Sequence, residues 1–555
     1  MVLRKRLAIL FAVSSLSVVA LSGCTSTGPD ESTGGQSQGG KVGEPYAVLA
    51  NQNARAAIGM AVDKETMCNT ILNNGSAPID YFTSAGLGVN DDGKEYQEVA
   101  NVKGYSHNDE EAKAMWEKAK EEVGFDTVEL ELLTFDSDTS KRQGEFMQAE
   151  LQEALPGLTI KIKQQPFKQK LELEAKGEFH LAYAGWGADY PDPLTFLETM
   201  VSNGQYSSKV GYGNTEYDKL IDEAKATPDK NESWKKYGEA ENIMLKDGYL
   251  SPLFQKGVAY LQKDFVKGIV VSPTIQETYK WADVDKDVKE INLSSTSDIP
   301  TLDPSKATDA ESFFIMTNTM EGLVRMGEGD KALPAMAESW EISEDGKTWT
   351  FKLRPGVKWS NGDNVTAHDF VYSWHRTLNP ETASEYSYIM YDVAGAEDYN
   401  TGKTDSPDNV GVKALDDNTL QVELVRPVTY FDKLMAFPVF FPQSQKVVEQ
   451  FGEEYGTTHD KIVYNGPFTM SEWKLEDQHT MSKNPTYWEA NVVKLDKINT
   501  KIVKDGNAAL NLYETGEIDK TGLTSENVDK YKDSPEFKTR NDASTYFFLV
   551  NGGKK

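Results

Sequence analysis

Hydrophobic positions recur along this chain in two rhythms, one near 3.6 residues and one of two, and the rhythms take turns. Between Asn51 and Glu65 the apolar residues Ala57, Ile58, Met60, Ala61 and Val62 share one side of a predicted helix. A second helix is predicted from Glu110 to Val123, with Ala112, Met115, Trp116 and Ala119 on one face. Thr127–Leu133 then alternates as a half-buried strand does. Lys141–Ala154 returns to helical spacing and Leu158–Gln164 to alternation. Helices and strands continue in mixed order to about Trp281, the pattern of an α/β region.

The pattern restarts near Asp287. Glu290–Ser294 is strand-like and leads into Pro300–Pro304. Trp349–Leu353 and Val412–Leu424 alternate, with turn residues at Gly346, Asp416 and Asn418. Ala367–Leu378 is predicted as a helix carrying Phe370, Val371 and Trp374 inward. No repeat at solenoid spacing is present. A length of 555 residues calls for two or three domains.

Composition narrows the function classes. With 39% hydrophobic and 10% aromatic residues, the chain can bury a core. A formal charge of −29 repels a phosphate backbone, so no nucleic-acid partner is expected. The six histidines are dispersed, and neither a His-Glu-x-x-His helix nor a Gly-rich phosphate loop occurs. No metal and no cofactor are therefore expected. Without a nucleophile elbow, the abundant acids do not make an enzyme.

Arg4, Lys5 and Arg6 precede an apolar run, Leu7–Leu21, that is short for a membrane span and has the layout of a secretory signal. The run ends in Leu21-Ser-Gly-Cys24, which resembles the bacterial lipobox. That resemblance implies cleavage before Cys24 and lipidation there, and two acyl chains suffice for stable anchoring. Residues 25–45 are polar and Gly/Ser-rich, as a flexible tether is. Two cysteines build no disulfide framework. Cys68 is expected as a small buried apolar residue on a helix.

The run Pro334–Pro380, PAMAESWEISEDGKTWTFKLRPGVKWSNGDNVTAHDFVYSWHRTLNP, resembles the signature region of the extracytoplasmic solute-binding proteins of family 5, the oligopeptide-binding proteins of ABC importers. In that family the region lies near the start of the mature chain. Here residues 46–285 come first and resemble the family's C-terminal portion through Asn53–Gly59, Gly185–Pro193 and Tyr217–Ala224. Residues 288–551 resemble the N-terminal portion, adding Val463–Phe468, Lys483–Trp488 and Tyr513–Asp519. Gly-Gly-Lys occurs both at 39–41 and at 552–554. The sequence is thus identified as a circularly permuted member, and a rearranged gene product is the alternative origin of the same order.

The fold this implies is α/β: a two-lobed periplasmic-binding-protein-like clamp of type II with an extra α/β domain. Carried onto this chain, 1–23 is a signal peptide, 24–45 a lipid-anchored tether and 46–257 the ligand-binding lobe. Residues 258–318 with 441–555 form the discontinuous sheet domain of the other lobe, and 319–440 the extra domain. The permutation implies that Val42 lies beside Val550, and that only the crossing near Gly257 still joins the lobes.

The implied site has Asp189 as acceptor of a peptide's α-ammonium. Gly185 and Gly187 offer bare backbone to an extended ligand, and Trp186 walls a side-chain pocket. Tyr386 contacts peptide from the extra domain, Thr308 and Ala310 line the opposite wall, and Phe167 supplies an aromatic. Positions where the enteric pattern reads the ligand's carboxylate align with Ser140, Glu174 and Tyr183, none of them basic, which favours longer peptides. The expected function is that of a monomeric, lipid-anchored bacterial lipoprotein outside the cell membrane. It captures oligopeptides and delivers them to ABC transporter permease subunits. The alternatives are a peptide-pheromone receptor, a receptor for nickel or haem, or a rearranged product with impaired transport.

Overall fold

The strand Val128–Phe135 (β2) shows how the local pattern becomes structure. Val128, Leu130 and Leu132 are buried, while Glu129 and Glu131 point outward and meet Lys161 and Lys163 of the parallel strand Leu158–Gln165 (β3), each at 2.8 Å. Opposite charges on the exposed face and aliphatics on the covered face fix the register together. The computed structural model describes residues 40–90, 92–272, 277–329 and 331–553. The signal-like run and Cys24 lie outside the described residues.

These two strands belong to a seven-stranded mixed sheet completed by Ala77–Pro78 (β1), Leu181–Gly187 (β4), Leu250–Gln262 (β5), Lys520–Gly522 (β6) and Phe537–Val550 (β7). Its order is β1-β5-β7-β4-β2-β3, with β6 also on β5. Two four-stranded sheets lie elsewhere in the chain. One is antiparallel and built from Ala337–Ile342, Thr348–Leu353, Val412–Asp416 and Thr419–Glu423; Val412–Leu424 folds back at the expected turn. The other joins Phe468–Lys474, Gln478–Lys483 and Lys497–Ile502 to Glu290–Ser295, the last pair parallel. The fold is mixed α/β, and from Lys41 onward the described residues cluster as one compact unit.

Capping decides where the helices begin. Asn108 accepts from the Glu111 amide at 3.1 Å ahead of Asp109–Val123, and Gly124 ends that helix at φ +83°. Ser137 caps Asp138–Ala154 at 3.3 Å. The helix expected through Glu65 stops at Met60, because Asp63 accepts from the Thr66 amide at 3.0 Å and starts a new turn. Cys68 lies buried in the π-helical turn that follows. In Ala367–Leu378, Phe370 and Trp374 are buried, but Val371 is only partly so.

One expectation about the lobes is overturned. Phe537–Asn541 of β7 pair with Gly257–Leu261 of β5, and Thr545–Leu549 pair with Leu250–Gln255. Ser544–Val550 also pair with β4. Two strands therefore cross side by side, not the one near Gly257 alone. The end of the 441–555 segment sits inside the sheet expected for residues 46–257. The reason is ladder pairing: Phe547, Phe548, Leu549 and Val550 fill a central strand of that sheet and are fully buried. Between the two paired zones the register shifts at Asn541/Thr545, a bulge in β7. Gly257 sits at this crossing because a Cβ there would come within 2.1 Å of the Gly75 backbone.

Candidate functional site

The parallel strands β2 and β4 pair only at Leu132–Leu181 and Leu133–Ala182 and then part. Crevices of this kind form at the carboxyl ends of diverging strands. Beyond the fork, Tyr183–Gly187 keep β7 on one side and, among the described residues, have no strand partner on the other. A cavity of about 510 Å³ opens there. Its walls come from the fork, from the bulge between β5 and β7, and from residues 296–317, 385–386 and 437–438.

All eight ligand-binding residues named from the sequence line this one cavity: Phe167, Gly185, Trp186, Gly187, Asp189, Thr308, Ala310 and Tyr386. Asp189 follows β4 and is only 8% exposed. Its main-chain amide donates to Thr195 Oγ1 at 3.0 Å, which fixes the turn. Its carboxylate accepts from the Tyr386 hydroxyl at 3.1 Å and, among the described residues, has no basic partner. Burial pushes the Asp189 carboxyl well above the usual carboxylate range. The Tyr386 bond opposes that shift in part, and Glu198 adds to it.

Trp186 is held by its indole N–H on the Thr195 carbonyl at 2.8 Å and stacks on Tyr386, centroids 5.8 Å apart. Phe167 packs on Phe135 at 5.8 Å. The glycines act differently from expectation. A Cβ at Gly185 would stand 3.0 Å from the Tyr546 ring, and one at Gly187 would stand 3.0 Å from Ser544 Oγ. Their missing side chains make room for β7; the unpaired edge of β4 is what faces the cavity.

Ser140, Glu174 and Tyr183 line the cavity as well, and the charge of Glu174 is already cancelled. Lys170, one turn earlier on Phe167–Lys176, forms a fully buried ion pair with it and lies 4.2 Å over the Phe135 ring. Sequence reading missed Lys170, Lys209, Lys256 and Arg540, all in the lining. The spacing of Lys170 and Glu174, four apart on a helix, was the one local signal available. Among the described residues, no group of three or more His, Cys, Asp or Glu is gathered for a metal.

At the bulge, Glu277 accepts from Lys520, Arg540 and the Tyr279 hydroxyl. Burial alone would raise its carboxyl, but Lys520 and Arg540 reverse that and hold it at about 2. Arg540 also bonds Asp542 at 2.8 Å, and Lys256 reaches Asp542 at 3.3 Å.

Comparison with known proteins gives consistent matches. The profile of the bacterial extracellular solute-binding proteins, family 5 middle, matches residues 35–208 and 331–555. The chain is 37% identical over 263 residues to the dipeptide-binding protein DppE of Bacillus subtilis, covering 47% of this chain and 48% of that protein. It is 38% identical over 266 residues to the oligopeptide-binding protein OppA of the same organism, covering 47% and 49%. A solved substrate-binding domain of an oligopeptide ABC transporter from Bacillus anthracis is 47% identical over 45% of this chain and 48% of that one, with TM-score 0.45. The chain spans about half the length of the curated relatives it matches.

Proposed function

The chain belongs to the bacterial extracellular solute-binding proteins of family 5, and from that premise we propose that it captures oligopeptides outside the cytoplasm and hands them to an ABC importer. The observation that carries this reading is Asp189, a buried carboxylate without a cation beside an unpaired strand edge. A peptide α-ammonium supplies the missing charge as a charge-assisted hydrogen bond. The ligand's main chain then adds to Tyr183–Gly187 as another strand, using groups that every peptide has. Names of the relatives point the same way, since they are called dipeptide- and oligopeptide-binding proteins. Mass spectrometry of ligands released from the purified protein should find peptides with free amino termini. Recovery of a non-peptide ligand in stoichiometric amount would refute the reading.

We extend the proposal to the ends of the chain. Lipidation of Cys24 would tether the protein to the outer face of the membrane; the support is the basic, apolar and lipobox order alone. A Cys24→Ala protein that still partitions with membranes would overturn it. The permuted order is supported by neighbours in space. Val42 bridges to Thr127 at the start of β2, and a Cβ on Gly553 would lie 3.4 Å from the Tyr46 Cβ. A protein joined from Asn551 to Gly43 and opened between Lys286 and Asp287 should keep the same fold. Failure of that protein to fold would count against permutation.

A further inference from the structure

The charge balance of the cavity goes further than the α-ammonium. Four basic side chains line it, and each already has its carboxylate. Lys170 is paired with Glu174, Lys209 with Glu385 at 3.2 Å, Lys256 with Asp542 at 3.3 Å, and Arg540 with Asp542 and Glu277. Among the described residues, no lining cation remains for an anionic ligand group. The acids are in excess, and besides Asp189 the uncompensated ones are Asp309 and Glu311, both in the lining.

Asp309 is consumed locally. Its two oxygens accept from the Ser312 amide at 2.8 Å and the Ser312 hydroxyl at 2.7 Å, capping the helix Ala310–Thr319. Glu311, in the first turn of that helix, is not. One of its oxygens accepts from Ser295 Oγ at 3.2 Å, and among the described residues the other has no hydrogen-bond donor. A first-turn carboxylate is ordinarily stabilised by the helix end. Here burial outweighs that and, with Asp309 alongside, pushes the Glu311 carboxyl up to about 7. Lys256, whose charge offsets that rise in part, is committed to Asp542. Glu311 and Asp189 stand on different elements of one cavity, each lacking a positive charge.

We propose that the cavity selects peptides carrying a basic side chain, with Asp189 holding the α-ammonium and Glu311 the side-chain ammonium or guanidinium. This deepens the peptide-binding reading above and rests on it. Neutral apolar side chains leave Glu311, half-buried in the cavity wall, uncompensated, and acidic ones add a second anion beside it. A carboxylate-reading subsite has no lining cation with which to form.

The test is calorimetry on the purified protein with pentaalanine peptides in which one position at a time is lysine, norleucine or glutamate. At one or more positions lysine should bind at least about tenfold tighter than norleucine, and glutamate weaker than both. In Glu311→Gln the lysine-to-norleucine ratio should fall to about one. The ratio is taken within each protein, so a general loss of affinity does not imitate it, and the wild-type series stands without any variant. Equal binding of lysine and norleucine peptides at every position, with a free amino terminus still required, would overturn this inference and leave the peptide reading standing. A ratio that survives in Glu311→Gln would remove Glu311 from the role. Absence of binding by the whole series would sink both.

Discussion

Glu277 and Asp189 line the same cavity, and both are buried, yet their surroundings are opposite. Glu277 has two cations and a tyrosine hydroxyl and is held at about 2. Asp189 has one tyrosine hydroxyl and no cation, and is pushed well up. The first carboxylate is complete without a ligand and serves the architecture, tying β6 to the bulged end of β7. The second has no cation among the described residues, and the α-ammonium of the proposed peptide ligand would complete it. Burial by itself does not mark a binding residue; the missing partner does.

Removing Glu277 should have the larger consequence for stability. Glu277→Gln leaves Lys520 and Arg540 crowded without their shared anion, and breaking such a pair costs about 3–5 kcal/mol. Urea titration should show that loss. The pH dependence follows from the lowered value. Glu277 contributes fully above the carboxyl pKa of the unfolded chain, and that contribution disappears as pH falls toward about 2.

Asp189→Asn should do the reverse. A raised carboxyl means that the folded protein holds its proton more tightly than the unfolded chain does. The associated stability is present below the unfolded carboxyl pKa and is lost as pH rises through the folded one. As pH rises through the range where the wild-type carboxyl ionises, the ligand-free Asn variant should therefore lose less stability than the wild type, while peptide binding collapses. A variant that loses both stability and binding would place Asp189 with Glu277 as a structural group.

Much of this was legible in the chain. Helix and strand positions followed from periodicity, and the eight residues suggested by family resemblance converge on one cavity. The rest depends on distant partners. That Asp189 lacks a cation is a fact about everything folded around it, and no window of sequence contains it. The room at Gly185 is taken by Tyr546, from a strand that sequence reading assigned to the other lobe. The crossing of β7 was missed because a run such as Tyr546–Val550 reads as a buried strand without naming its sheet. Lys170 lies on a helix face whose burial is decided by Phe135 and the cavity wall, and no local pattern reveals that its pair with Glu174 is buried.

The most direct measurement compares one peptide with a free amino terminus and the same peptide N-acetylated, by calorimetry on the wild-type protein. Acetylation removes the positive charge and leaves Asp189 buried and alone, so affinity should fall by a few hundred-fold, the equivalent of about 3 kcal/mol. Equal affinity for the two peptides would contradict the assignment of Asp189 and, with it, the distinction between the two carboxylates.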